Sequence, residues 1–110
     1  MTTKEFLVAV RNRNARVGKA NRLKGEKFEF AVLAEYKRNS DFAVRSAGSH
    51  SLFDVIARRA GKLYYINCKT NGYREQSELE ALKQLKKKLT DNEVIILANK
   101  TTGRVEYITL

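Results

Sequence analysis

Two rhythms of apolar and polar positions run along the chain. Residues 25–38, GEKFEFAVLAEYKR, repeat with helical spacing: at 100° per residue Phe28, Val32, Leu33 and Tyr36 share one side. Residues 77–89, SELEALKQLKKKL, repeat the pattern with Leu79, Leu82, Leu85 and Leu89 opposite Lys83, Lys86 and Lys87. Ser77 and Glu80 match a capping box at the start of this helix. Between the helices the rhythm shortens to two, predicting strands over 41–46, 52–58 and 62–69. The turn at Gly61 makes the second and third of these an antiparallel hairpin. After the second helix, the continuous apolar run 93–98 predicts a central strand and 104–110 a final alternating one. The result is an α/β or α+β domain: a central mixed sheet of about five strands flanked by helices.

A few polar residues interrupt these patterns. Glu29 falls between Tyr36 and Leu33 on the apolar side of the first helix. A carboxylate there either reaches out to water at the edge of the stripe or aims inward at a cation. Asp54 lies within an apolar strand, where aspartate is depleted. On the neighbouring strand Asn67 and Lys69 share a face and Cys68 points the other way, so the hairpin can bring Asp54 close to both. Carboxylate and amide oxygens are hard ligands that suit Mg²⁺ or Mn²⁺. An ion held there lowers the pKa of a bound water and neutralises charge on a phosphate. A lysine beside it can hold the water or stabilise the transition state. This is the chemistry of phosphodiester hydrolysis.

The charge balance supplies a substrate class. The chain has 110 residues, 22 of them basic and 12 acidic, for a net charge of +10, which favours a polyanion and first of all nucleic acid. Residues 11–24 hold basic and no acidic side chains: Arg11, Arg13, Arg16, Lys19, Arg22 and Lys24. They read as a basic arm, 1–24, ahead of a domain spanning 25–110. The arm is either a solvated segment or one that orders on DNA phosphates. No apolar run approaches the roughly 20 residues that span a bilayer, so no membrane partner is expected. A single cysteine and no evident leader predict a cytoplasmic protein, of a prokaryotic cell or of a host cell if phage- or virus-encoded.

Order and spacing give a more specific indication. Lys24-Gly25-Glu26-Lys27-Phe28-Glu29 fits K-G-x-x-x-E, and Arg45-Ser46-Ala47-Gly48-Ser49 fits an R-S-A-G-S loop. Asp54-Val55-Ile56-Ala57 fits an acidic strand, Asn67-Cys68-Lys69 stands where E-x-K is expected, and a helix follows with Gln76 near its start. From Lys24 to about Ala98 the sequence resembles the archaeal-type Holliday junction resolvases, of the PD-(D/E)XK nuclease superfamily. The resemblance implies a restriction-endonuclease-like fold and a homodimer that binds four-way, branched double-stranded DNA and cuts two strands symmetrically with Mg²⁺. It assigns Glu29, Asp54, Asn67 and Lys69 to catalysis, the first three to the metal. It places Arg45 and Ser49 at the scissile phosphate and the basic arm on the DNA. His50, the sole histidine, adjoins that loop as an exposed side chain or a further phosphate contact. The departure is Asn67, where the family pattern has glutamate. Either Glu29 and Asp54 carry the metal, or the chain binds DNA without cutting it, or the residue was substituted to trap an inactive form. The survival of Glu29, Asp54 and Lys69 favours the first. Other DNA structures, such as flaps or linear duplex, are the alternative substrates.

Overall fold

The computed structural model describes residues 22–46 and 52–110. Ser49, His50 and the arm residues Arg11, Arg13, Arg16 and Lys19 lie outside the described residues. Helix α1 is described over residues 22–39. Strands β1 (Phe42–Arg45), β2 (Val55–Arg59) and β3 (Lys62–Lys69), helix α2 (Gln76–Lys86) and strands β4 (Glu93–Thr101) and β5 (Arg104–Thr109) follow. Among the described residues no helix is long and apolar enough to cross a membrane.

The five strands lie side by side in chain order. β1, β2 and β3 pair antiparallel, β3 and β4 pair parallel, and β5 returns antiparallel to β4. The parallel step needs a crossover, which α2 provides. The β2–β3 turn has only Ala60 and Gly61 between the paired Arg59 and Lys62, both with positive φ, 53° and 78°. That combination makes a hairpin turn whose twist matches the strands.

The pleat gives the sheet two faces, and a helix packs on each. Phe28, Val32, Leu33 and Tyr36 of α1 cover Ala43, Val55, Ala57, Ile66, Cys68, Ile96 and Ala98. Leu82 of α2 packs with Ile95 and Leu97, joined by Tyr65, Leu85 and Leu89. Five side chains, Ile66, Leu82, Ile95, Val32 and Val55, are fully enclosed. At about 1.5–3 kcal/mol each they make burial the dominant stabilising term. β3 therefore serves both layers: Ile66 and Cys68 face α1, while Tyr65, Asn67 and Lys69 face α2.

Four expectations change. Residues 22–24, assigned to the arm, are helical, so Arg22 and Lys24 are carried on α1 and Glu26 lies beyond its first turn. The capping box does not form: Glu75 is the N-cap, in extended conformation and without a side-chain cap, and places Ser77 inside the first turn. The carbonyl of Glu75 takes the first helical bond, from Leu79 N at 3.0 Å. The second strand, predicted over 52–58, does not reach back to Phe53. Regular β2 starts only at Val55, so alternation fails before it and Phe53 packs on the α2 side. Finally, the second helix, predicted to run to 89, stops at Lys86, though Leu82, Leu85 and Leu89 all pack on the sheet. The large apolar side chains left exposed include Phe42 and Val44 of β1, each about half exposed.

Candidate active site

The chemistry gathers where β2 gives way to the loop before it. The last β2–β3 pair is Val55 with Ile66, yet β3 runs on to Lys69. Asp54 covers part of this overhang. Its N–H donates to Ile66 O at 2.8 Å, and its Oδ2 accepts from Cys68 N at 2.8 Å. The side chain thus completes a ladder that the backbone has left, which explains an aspartate beside an apolar strand. α1 brings Glu29 up to the same carboxylate.

These two acids burden one another. Burial, and then the charge and hydrogen bonding of Glu29, push the pKa of Asp54 up to about 6, against the opposing Cys68 N–H bond and the ammonium of Lys69. Glu29 does aim inward at a cation, as one reading of the helix required: Arg45 Nε donates to its Oε2 at 3.0 Å. Arg45 is also held by Glu26 at 4.0 Å and by the ring of Phe30, 4.6 Å from its guanidinium carbon. β3 adds Lys69, whose Nζ lies 3.1 Å from Oε2 of Glu78 on α2. Cys68 points opposite to Asn67 and Lys69, as expected, but this puts it under α1, on the side of Glu29. Its thiol is pushed up to about 12, by burial first and then by the carboxylates of Asp54 and Glu29, so it stays neutral.

Asn67 does not join the acids. It is buried, its Oδ1 accepts from Arg74 Nε at 2.7 Å, and its Nδ2 donates to Leu52 O at 2.6 Å and to Glu78 Oε1 at 3.1 Å. Arg74 is buried too, donating to Asn99 Oδ1 at 2.6 Å and to Asn67 O at 3.0 Å. Burial lowers its pKa from the ordinary guanidinium range, opposed by Glu78, Cys68 and Asp54. The oxygen that was to reach a metal is committed to a guanidinium. Gln76 is also elsewhere: its amide donates to Glu80 on the exposed side of α2. Sequence reasoning missed Arg74, Glu78 and Asn99. The available signal was an arginine just before α2 and a glutamate, one of three near its start, ambiguous without the angle of that helix.

Among the described residues no group of three or more His, Cys, Asp or Glu side chains could hold a metal. The donor set still suits a hard divalent cation. Mg²⁺ is commonly held by one or two carboxylates, with water and substrate phosphate filling the other positions. Glu29 and Asp54 are two such oxygen donors, whose mutual repulsion a cation would relieve.

A basic cleft of about 500 Å³ opens beyond the Lys69 end of β3. Lys24 and Lys27 line it from α1, Thr70 and Asn71 from the segment after β3, Lys100 and Thr101 from the end of β4, and Thr102 and Gly103 from the turn beyond it. Three ammonium groups and several small polar side chains suit an anionic backbone.

No protein-family model matches the chain, and no curated protein does. Among solved structures, Archaeoglobus fulgidus Hjc, a Holliday junction resolvase from an archaeal hyperthermophile, superposes with a TM-score of 0.62. The two are 21% identical, over 78% of this chain and 72% of that chain. The fold is Hjc-like. In this Hjc-like frame the Glu29 and Asp54 carboxylates meet, while Lys69 and Asn67 both lie on the α2 side of β3 against Glu78, from where the charge of Lys69 still acts on Asp54.

Proposed function

We propose that the chain is a metal-dependent DNA endonuclease that acts on four-way junctions as a homodimer. The observation that carries this reading is the meeting of the Glu29 and Asp54 carboxylates, with the Lys69 ammonium close enough to act on Asp54. A binding module has no use for two acids facing a phosphate. Glu29 and Asp54 would hold Mg²⁺ or Mn²⁺, which supplies an activated water and neutralises charge developing on the phosphoryl oxygens. Lys69 orients the attacking water by hydrogen bonding and offsets negative charge as its oxygen bonds to phosphorus and the bond to the leaving strand breaks. Arg45, steadied by Glu29 and Phe30, keeps donors for the scissile phosphate, and the cleft of Lys24, Lys27 and Lys100 guides the backbone on either side. The exposed Phe42 and Val44, on a part of the sheet that α2 leaves uncovered, are the candidate surface between two copies.

The test is a cleavage panel of synthetic junction, flap and linear duplex at equal concentration, with Mg²⁺ and then Mn²⁺. Paired cuts in the junction, absent from Asp54→Ala, are expected. A junction bound tightly but left intact in both metals would overturn the reading in favour of a noncatalytic DNA-binding homologue. The capture of Asn67 by Arg74 favours that second reading, since it removes one metal donor.

A further inference from the structure

We infer that Glu78, reaching in from the first turn of α2, is a positioning residue for Lys69. This rests on the nuclease reading above and assigns a part of the same site that the sequence did not point to.

The alternation of β3 sends Asn67 and Lys69 to the face that α2 covers. Glu78 is in the first turn of α2, where the helix dipole favours an acid. Its two oxygens are divided between those two residues: Oε1 accepts from Asn67 Nδ2 at 3.1 Å, and Oε2 pairs with Lys69 Nζ at 3.1 Å. The Glu78 side chain is only 19% exposed and that of Lys69 35%, so solvent weakens the pair less than a surface one. Lysine ends in a flexible four-carbon stem, and a fixed carboxylate is what gives its ammonium one location.

Asn67 and Glu78 suit each other in a way neither shows alone. An amide both donates and accepts, whereas an ionised carboxylate only accepts. Asn67 uses its oxygen for Arg74 and its nitrogen for Glu78. A glutamate at 67 could still receive Arg74, but it would set a second negative charge against Glu78. The asparagine is therefore more than a lost acid: it is the donor that seats an acid arriving from another element, and Arg74 in turn fixes the asparagine.

The experiment compares Glu78→Gln, Glu78→Asp and Glu75→Gln in the full chain, the last removing a charge at the same helix end from an exposed side chain. Single-turnover junction cleavage should fall about 10²-fold in Glu78→Gln, as for a misplaced catalytic group. Junction affinity in Ca²⁺ and Mn²⁺ binding to the free protein, read by calorimetry, should stay at the wild-type level. Glu78→Asp should recover most of the rate, and Glu75→Gln should lose none. Acylation of Lys69 by an amine-reactive ester, followed by mass spectrometry, should speed up several-fold in Glu78→Gln alone. An unchanged acylation rate in folded Glu78→Gln would overturn the inference, as would full cleavage. If the wild-type chain cuts no DNA, the nuclease reading fails, and the acylation result still decides whether Glu78 holds Lys69. If Glu78→Gln misfolds, Asn67→Glu takes its place: it should raise Lys69 acylation by displacing Glu78, and an unchanged rate would count against the inference.

Discussion

Asp54→Asn separates what this residue contributes to function from what it costs the fold. Asparagine keeps an oxygen for the Cys68 N–H and removes only the charge. The Asp54 pKa rises from 3.8 to about 6 in the folded chain, first by burial and then through Glu29. At 1.36 kcal/mol per unit this corresponds to roughly 3 kcal/mol, which solvent reaching the carboxylate reduces to about 1–2 kcal/mol. The sign follows from proton binding. Between pH 3.8 and about 6 the native carboxyl keeps its proton while the unfolded one has lost it, so wild-type stability falls as pH rises through that window. Below it the two proteins should be about equally stable; at pH near 8 the variant should be the more stable by ~1–2 kcal/mol. Urea unfolding in EDTA across that pH range, with wild type and variant compared at each pH, isolates the contribution of Asp54. Millimolar Mg²⁺ should largely close this gap by stabilising wild type alone, by about 1.4 kcal/mol at ten times its dissociation constant. The same variant should not cleave. A stability difference that does not change with pH, or a wild type more stable than the variant at pH 8 without metal, would refute the picture of two acids crowded in one site.

Other consequences can be checked separately. Arg74→Ala leaves the oxygens of Asn67 and Asn99 buried without their donor and should cost about 2–4 kcal/mol, lowering Tm by roughly 10–20 °C in a thermal scan. Replacing Lys24, Lys27 and Lys100 together by glutamine should weaken junction binding and flatten its dependence on log salt by up to about 3, roughly one per lysine. Val44→Glu puts a charge on the exposed apolar part of β1 and should yield a monomer in sedimentation with an unchanged fold; a dimer that persists would move the interface elsewhere.

The elements that could be read from sequence are those specified by neighbours in the chain. A two-residue turn at Ala60 and Gly61 between alternating runs makes the β2–β3 hairpin, and β3 occupies the predicted 62–69. Most of the leucine stripe forms as drawn: Leu79, Leu82 and Leu85 lie on α2, with Leu82 fully buried and Lys83 and Lys86 exposed, but the helix stops at Lys86, short of Leu89. Glu29 and Asp54 stood out because each broke a local rule, and each break has a long-range partner, Arg45 for one and the Cys68 N–H for the other. What could not be read depends on how α2 lies on the sheet. Position 67 looked like a weakened metal ligand because β3 alone decides only which face it points to. That Arg74 and Glu78 would claim both ends of its amide depends on the docking of a separate helix. Ser77 misled for a similar reason: the capping pattern was present, but the helix starts earlier, at a carbonyl no side chain announces.

The chain contains one sulfur nucleophile, and it is sealed between α1 and the sheet as a neutral thiol. Maleimide or disulfide reagents will therefore leave the native protein unlabelled under mild conditions. A cysteine introduced at an exposed position, such as Thr102 in the β4–β5 turn, becomes a unique attachment point without any background to engineer away. A dye placed there would report in real time on a DNA strand entering the lysine-lined groove.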